Sequence, residues 1–131
     1  MQIGDLMKWE DILKDWRRPF ITSVIKRTTQ LVDNLDKDVE SWVQTPTSFE
    51  DFDQEGNMTM SSWKVWKEHI ELRIRITQSF LNDGNFLQAT KQIREIILDF
   101  EESFDSGQFP EVHNVIANIK FELLDADDLP E

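Results

Sequence analysis

The feature that most constrains the fold is an apolar stripe between Pro19 and Val43. Its residues recur at intervals of four, three, four and three, the spacing of one face of an α-helix. Its members, of which only Thr28 is polar, are Ile21, Ile25, Thr28, Val32, Leu35, Val39 and Trp42. The pattern predicts a helix over about 19–43, with Pro19 in its first turn. Val24 and Leu31 widen the stripe, which favours a helix packed within a bundle; the alternative is the seam of a homodimer.

A shorter apolar face precedes this helix. It is formed by Leu6, Trp9, Ile12, Leu13 and Trp16, and it predicts a first helix over about 6–17 that ends before Pro19. Tryptophan often anchors protein interfaces because it offers a large, rigid contact surface with a polar edge. Trp9 and Trp16 are therefore candidates for an exposed interaction surface.

The C-terminal half predicts three further helices, over about 62–82, 86–105 and 110–124, followed by an acidic tail at 125–131. Short links at Gly84 and Gly107 predict antiparallel hairpins between consecutive helices. The helix at 62–82 has two apolar faces, which is typical of a central helix buried on both. The predicted fold is thus an all-α, single-domain bundle of about five helices. The alternative is an α+β fold with strands at about 69–77 and 117–124, where apolar and charged residues alternate.

The connector between the second and third helices, about 44–60, resembles the calcium loop of the EF-hand family. Oxygen-bearing side chains at Asp53, Glu55 and Asn57 take the spacing of the first ligands in that loop. The closing position, which in the family holds a bidentate glutamate, is occupied by Lys64. Starting the loop at Asp51 instead places Ser62 there. Neither register closes the site, so no metal ion is expected.

No catalytic or cofactor-binding motif is recognisable. The two histidines, His69 and His113, lie outside the Glu-x-x-His and His-x-x-x-His patterns that hold metals on helices. Phosphate-binding and dinucleotide-binding glycine motifs are also missing from the sequence. We therefore expect neither an enzyme nor a cofactor.

The net charge of −12 is unevenly distributed, because residues 46–131 hold eighteen acids and seven bases. Direct binding to nucleic acid or to an acidic membrane surface is disfavoured, since both need clustered Lys and Arg. The chain has no cysteine and no recognisable signal peptide or membrane-spanning run, so a cytoplasmic location is the default expectation.

Four carboxylates cluster near the end of the fourth predicted helix, at Asp99, Glu101, Glu102 and Asp105. No Lys or Arg lies at helical spacing to pair with them, and carboxylates are unfavourable at the negative end of a helix dipole. We therefore predict an acidic surface that meets a basic protein, in a non-enzymatic interaction or assembly module. The alternative is a decoy that mimics nucleic acid and inhibits a basic protein. Regularly spaced carboxylates on one face would favour the decoy.

Overall fold

The chain forms an all-α bundle, as predicted. The computed structural model describes residues 3–43 and 58–127, with side chains at 17–43 and 58–124. This part of the chain contains five helices and no strand: α1 Ile3–Lys37, α2 Val39–Trp42, α3 Met60–Asn82, α4 Phe86–Ser103 and α5 Pro110–Asp127. The alternative strands at 69–77 and 117–124 fall inside α3 and α5, so the α+β interpretation is wrong. Most of the connector, at 44–57, lies outside the described residues.

The predicted boundary between the first two helices is wrong, because α1 continues through Pro19. A proline inside a helix removes one backbone hydrogen bond and crowds the preceding turn, at a cost of ~3 kcal/mol. Ile21 and Val24 lie immediately after Pro19 and are almost completely buried. Burial of apolar side chains stabilises by ~1.5–3 kcal/mol each. The packing of this turn therefore offsets the cost of the proline.

The helix predicted to run to residue 43 instead ends at Lys37. Asp38 interrupts it, and the short helix α2 follows. The indole Nε1 of Trp42 donates a hydrogen bond to the carbonyl oxygen of Leu35 at 2.9 Å, which closes this turn. Trp42 is thereby held against the end of the bundle.

The three C-terminal helices begin and end near their predicted bounds. Thr59 caps α3 through two reciprocal hydrogen bonds. The Thr59 hydroxyl accepts one from the backbone N–H of Ser62, and the Ser62 hydroxyl accepts the other from the backbone N–H of Thr59. Gly84 turns the chain into α4 with φ +72°, a left-handed conformation that glycine adopts without strain. Asn85 caps α4 through its side-chain oxygen. These local signals explain why the hairpin between α3 and α4 was predictable from sequence.

The helices alternate in direction around α1, which packs against α3, α4 and α5. Trp63 near the start of α3 meets Asp36 near the end of α1, so these two helices are antiparallel. Trp66 of α3 donates to Ser103 at the end of α4 at 2.9 Å, so α3 and α4 are also antiparallel. Arg27 of α1 pairs with Glu122 of α5 at 2.6 Å.

The wide stripe of α1 forms the centre of the core. Its buried members are Ile21, Val24, Thr28, Leu31, Val32 and Leu35. Thr28 is tolerated there because its hydroxyl donates to the carbonyl oxygen of Val24 at 2.7 Å. The stripe is thus covered within one chain, as the bundle interpretation requires. α3, by contrast, buries only one of its two apolar faces, since Val65 is 68% exposed and Leu72 50%.

Val32→Asp should unfold or strongly destabilise the domain. Val32 is 2% exposed, and an unpaired carboxylate buried there costs on the order of 3–5 kcal/mol. Val65→Asp on the exposed face of α3 is the control and should change stability by less than ~0.5 kcal/mol. Urea unfolding followed by far-UV circular dichroism measures both. A folded Val32→Asp protein that is monomeric where the wild type is dimeric would instead place the stripe at a subunit interface.

Asp36 should make stability depend on pH. The hydrogen bond from the Trp63 indole, followed by that from Lys67, lowers the pKa of Asp36 below its ordinary value of 3.8. A carboxylate with a lowered pKa in the folded state stabilises above its ordinary pKa, and this contribution is lost as the pH falls below that value. Asp36→Asn should therefore lower the free energy of unfolding at pH 7, with the difference disappearing in acid. Asp33→Asn, one turn earlier on α1, is the matched control. An Asp36→Asn difference that does not change with pH would contradict the prediction.

Candidate interaction surface

An aromatic cluster closes one end of the bundle. The ring of Trp42 lies edge-on to Trp63, Phe104 and Phe109, with centroid distances of 5.1, 5.8 and 5.5 Å. Phe104 and Phe109 also meet edge-on at 5.0 Å. Such edge-to-face contacts stabilise by about 0.5–1.5 kcal/mol each beyond simple burial. Trp42 and Phe109 remain partly exposed, so the cluster presents a rigid aromatic wall.

Two open cavities lie beside this wall and share Trp42, Gln108 and Phe109 as lining residues. The first cavity, of about 310 Å³, is also lined by Glu101, Glu102 and Asp105. The second cavity, of about 340 Å³, is also lined by Asp38 and Glu111. Together we call the two cavities the acidic groove. Its lining includes five carboxylates and, among the described residues, no Lys, Arg or His.

The fold positions these carboxylates by different means. Asp105 folds the link between α4 and α5, because its Oδ2 accepts from the backbone N–H groups of Gly107 and Gln108 at 3.0 and 3.1 Å. Glu101 contacts Lys120 of α5 at 3.4 Å. Glu111 lies in the first turn of α5, where the helix dipole favours negative charge.

Glu102 and Asp38 form no ion pair within the described residues, whereas Glu101 is paired with Lys120 and Asp105 is tied to the backbone of Gly107 and Gln108. Both are exposed, Glu102 near the end of α4 and Asp38 at the break between α1 and α2. Their charge is therefore available to a ligand at no cost in intramolecular contacts.

The structure brings together three of the four predicted acidic residues. Glu101, Glu102 and Asp105 line the acidic groove, whereas Asp99 faces α3. There its Oδ2 accepts from Arg73 Nε at 2.9 Å and lies 3.2 Å from His69 Nε2. Asp99 therefore links two helices of the bundle and is not part of the groove. The side chains of the predicted interface residues Trp9 and Trp16 lie outside the described residues.

No Lys or Arg lies at helical spacing from the acidic cluster, as the sequence shows, but α3 and α5 bring Arg73 and Lys120 to it across the bundle. Sequence reasoning did not find these partners. It missed Asp38, Trp42, Phe109 and Glu111 as members of one surface. Asp38 and Glu111 are far apart in sequence, and only the turn after α1 brings them to the same cavity.

Neither histidine forms a recognisable catalytic or metal centre. His69 belongs to the exposed contact with Asp99 and Arg73. The Nε2 of His113 donates to the carbonyl oxygen of Phe104, which ties α5 to the end of α4. Within residues 17–43 and 58–124, whose side chains the structure describes, no three His, Asp or Glu side chains converge as a metal site would require.

Two short segments of the sequence hold most of the net negative charge. Residues 17–43 and 58–124 carry fourteen carboxylates and twelve Lys or Arg, for a net charge of −2. The connector 44–57 and the segment 125–131 each carry four acids and no base. The connector begins after Val43 and ends before Met58, which lines the first cavity.

Comparisons with protein-family models, with curated proteins and with solved structures find no significant match. None of the helices in the described part of the chain combines the length and apolar composition that crossing a membrane requires. Function must therefore be inferred from the geometry and charge of the acidic groove.

Proposed function

We propose that the protein is a non-enzymatic interaction module that binds a basic segment of a partner protein in the acidic groove. The observation that carries the proposal is the composition of the groove: five carboxylates around an aromatic wall, with no basic residue among its described lining. Neither the wall nor the carboxylates alone would favour one class of ligand. Together they match side chains that are apolar along the stem and positive at the tip.

Lys and Arg have this character. Their alkyl stems pack against aromatic rings, while the charged group reaches a neighbouring carboxylate. A cation over the face of a tryptophan also gains about 0.5–1 kcal/mol at an exposed site. Trp42 is already fixed by its hydrogen bond to Leu35, so little side-chain entropy is lost when a ligand packs on it.

The net charge of the chain adds a longer-range effect. A net charge of −12 produces a negative potential around the protein. Such a field accelerates the association of a positively charged partner and is screened by salt.

The alternative function, a nucleic-acid mimic, has less support. A decoy needs carboxylates in regular rows that stay free for a basic partner, but several carboxylates of the described helices are paired with cations. Residues 17–43 and 58–124 also carry a net charge of only −2. Localised recognition at the groove agrees better with this distribution.

Neutralising the groove should weaken binding of a basic peptide. The groove variant combines Asp38→Asn, Glu102→Gln and Glu111→Gln; the control combines Glu68→Gln, Glu71→Gln and Glu95→Gln, which changes net charge equally on other exposed surfaces. The probe is a labelled twelve-residue peptide of alternating Lys and Leu, titrated by fluorescence anisotropy at low and high salt. Exposed ion pairs contribute about 0.2–1 kcal/mol each, so the groove variant should raise Kd by roughly three- to a hundredfold.

The control variant should change Kd less than about twofold, because it retains every groove carboxylate. Equal weakening by both variants would show that the peptide senses only overall charge, which would favour the decoy function. Binding that neither variant affects would rule out the acidic groove as the site.

A further inference from the structure

The first cavity of the acidic groove offers a cation negative charge but few free hydrogen-bond acceptors. Its three carboxylates are those of Glu101, Glu102 and Asp105. Glu101 already accepts from Lys120 Nζ at 3.4 Å, and Oδ2 of Asp105 accepts from two backbone N–H groups of the α4–α5 link. Of the three, only Glu102 has no side-chain hydrogen bond or ion pair within the described residues. A ligand with several N–H donors therefore finds one wholly free carboxylate.

The rest of the first cavity is largely aromatic. Trp42, Phe104 and Phe109 all line it, and Phe104 is almost completely buried. Trp42 and Phe109 are partly exposed, and their ring planes meet at 87° with the centroids 5.5 Å apart. A ligand in this cavity therefore contacts two aromatic rings that stand nearly at a right angle to each other.

Unmodified and trimethylated lysine differ in what they need from such a cavity. An unmodified ammonium has three N–H donors and is strongly hydrated, so leaving water is unfavourable unless its donors find acceptors. A trimethylated ammonium retains the positive charge but has no N–H donor. Aromatic rings bind such quaternary ammonium groups well, because the ring face attracts the charge and the methyl groups pack on it. Two aromatic rings beside one free carboxylate therefore suit the methylated form.

We propose that the first cavity binds the trimethylated side chain of a lysine in the basic segment of the partner. This inference rests on the proposed function and adds the modification state of the ligand. The methyl groups pack on Trp42 and Phe109, while Glu101 and Glu102 attract the charge without a hydrogen bond. The hydrogen bond from Trp42 to Leu35 holds one of the two rings in place before the ligand arrives.

The second cavity suits an unmodified basic side chain. The carboxylates of Asp38 and Glu111 have no ion pair or hydrogen bond within the described residues, so both can accept from a ligand. Its lining adds side-chain oxygen atoms from Asn34, Ser41 and Gln108. The partner segment therefore places one methylated lysine in the first cavity and an unmodified Lys or Arg in the second.

Peptides that differ in a single side chain test the proposal. The twelve-residue peptide of alternating Lys and Leu is compared with the same peptide carrying one central trimethyl-lysine, each labelled and titrated by fluorescence anisotropy. The methylated peptide should bind at least about threefold more tightly, a gain of the size that a cation on aromatic rings provides. A third peptide, in which that side chain ends in a neutral tert-butyl group of the same shape, should lose this gain. Equal affinity of the charged and neutral peptides would overturn the proposal.

Substitutions locate the methylated side chain. Phe109→Leu keeps an apolar side chain but removes the ring, so it should abolish the preference for the methylated peptide. Phe121→Leu, the same replacement at an exposed position on α5, is the matched control and should leave the preference unchanged. Asp38→Asn combined with Glu111→Gln should weaken both peptides by the same factor, because these carboxylates belong to the second cavity.

Circular dichroism checks that each variant is folded, and the comparison of peptides on the wild type decides the outcome if Phe109→Leu is not. A preference that a folded Phe109→Leu protein retains would overturn the assignment to the first cavity. Choline carries the same trimethylammonium group and should displace the methylated peptide only far above the Kd of that peptide. Choline that binds as tightly as the peptide would instead assign the cavity to a free small molecule.

The same measurements distinguish failure of this inference from failure of the proposed function. If the methylated and unmodified peptides bind equally and the groove variant weakens both, the acidic groove remains the binding site and the methyl-lysine inference is wrong. If neither peptide binds, the proposed function and this inference are both wrong.

Discussion

The bundle depends on the burial of one wide stripe of α1 against three other helices. A stripe with only two apolar positions per heptad suits a single neighbour, whereas Val24 and Leu31 extend this one far enough to contact α3, α4 and α5. The polar contacts of α1 follow from that packing. Asp36 accepts from Trp63 on one side of the helix, and Arg27 pairs with Glu122 on another. Each fixes the orientation of a neighbour whose apolar face is already buried.

The acidic groove lies beside the break between α1 and α2. There Trp42 contacts Phe104 and Phe109, and Asp38 is exposed at the second cavity. The surface that we propose as functional is thus produced by the same turn that closes the core. Binding there needs little rearrangement, since the aromatic wall is already packed.

The distribution of charge explains how a chain with a net charge of −12 maintains a compact bundle. Cations from other helices compensate carboxylates such as Asp99 and Glu101, so mutual repulsion within the core helices is small. The excess is concentrated in 44–57 and 125–131.

By itself, the sequence determined the class of fold and most helix limits. The helices could be predicted because their signals are local in the sequence: periodic apolar residues, the Gly84 turn and the proline at the start of α5. Tertiary structure decided the rest. Pro19 lies inside a helix because packing of the following turn offsets its cost, and Asp99 is separated from Glu102 because α3 supplies Arg73. Those outcomes depend on interaction energies between residues that are distant in sequence, and a local sequence pattern does not reveal such interactions.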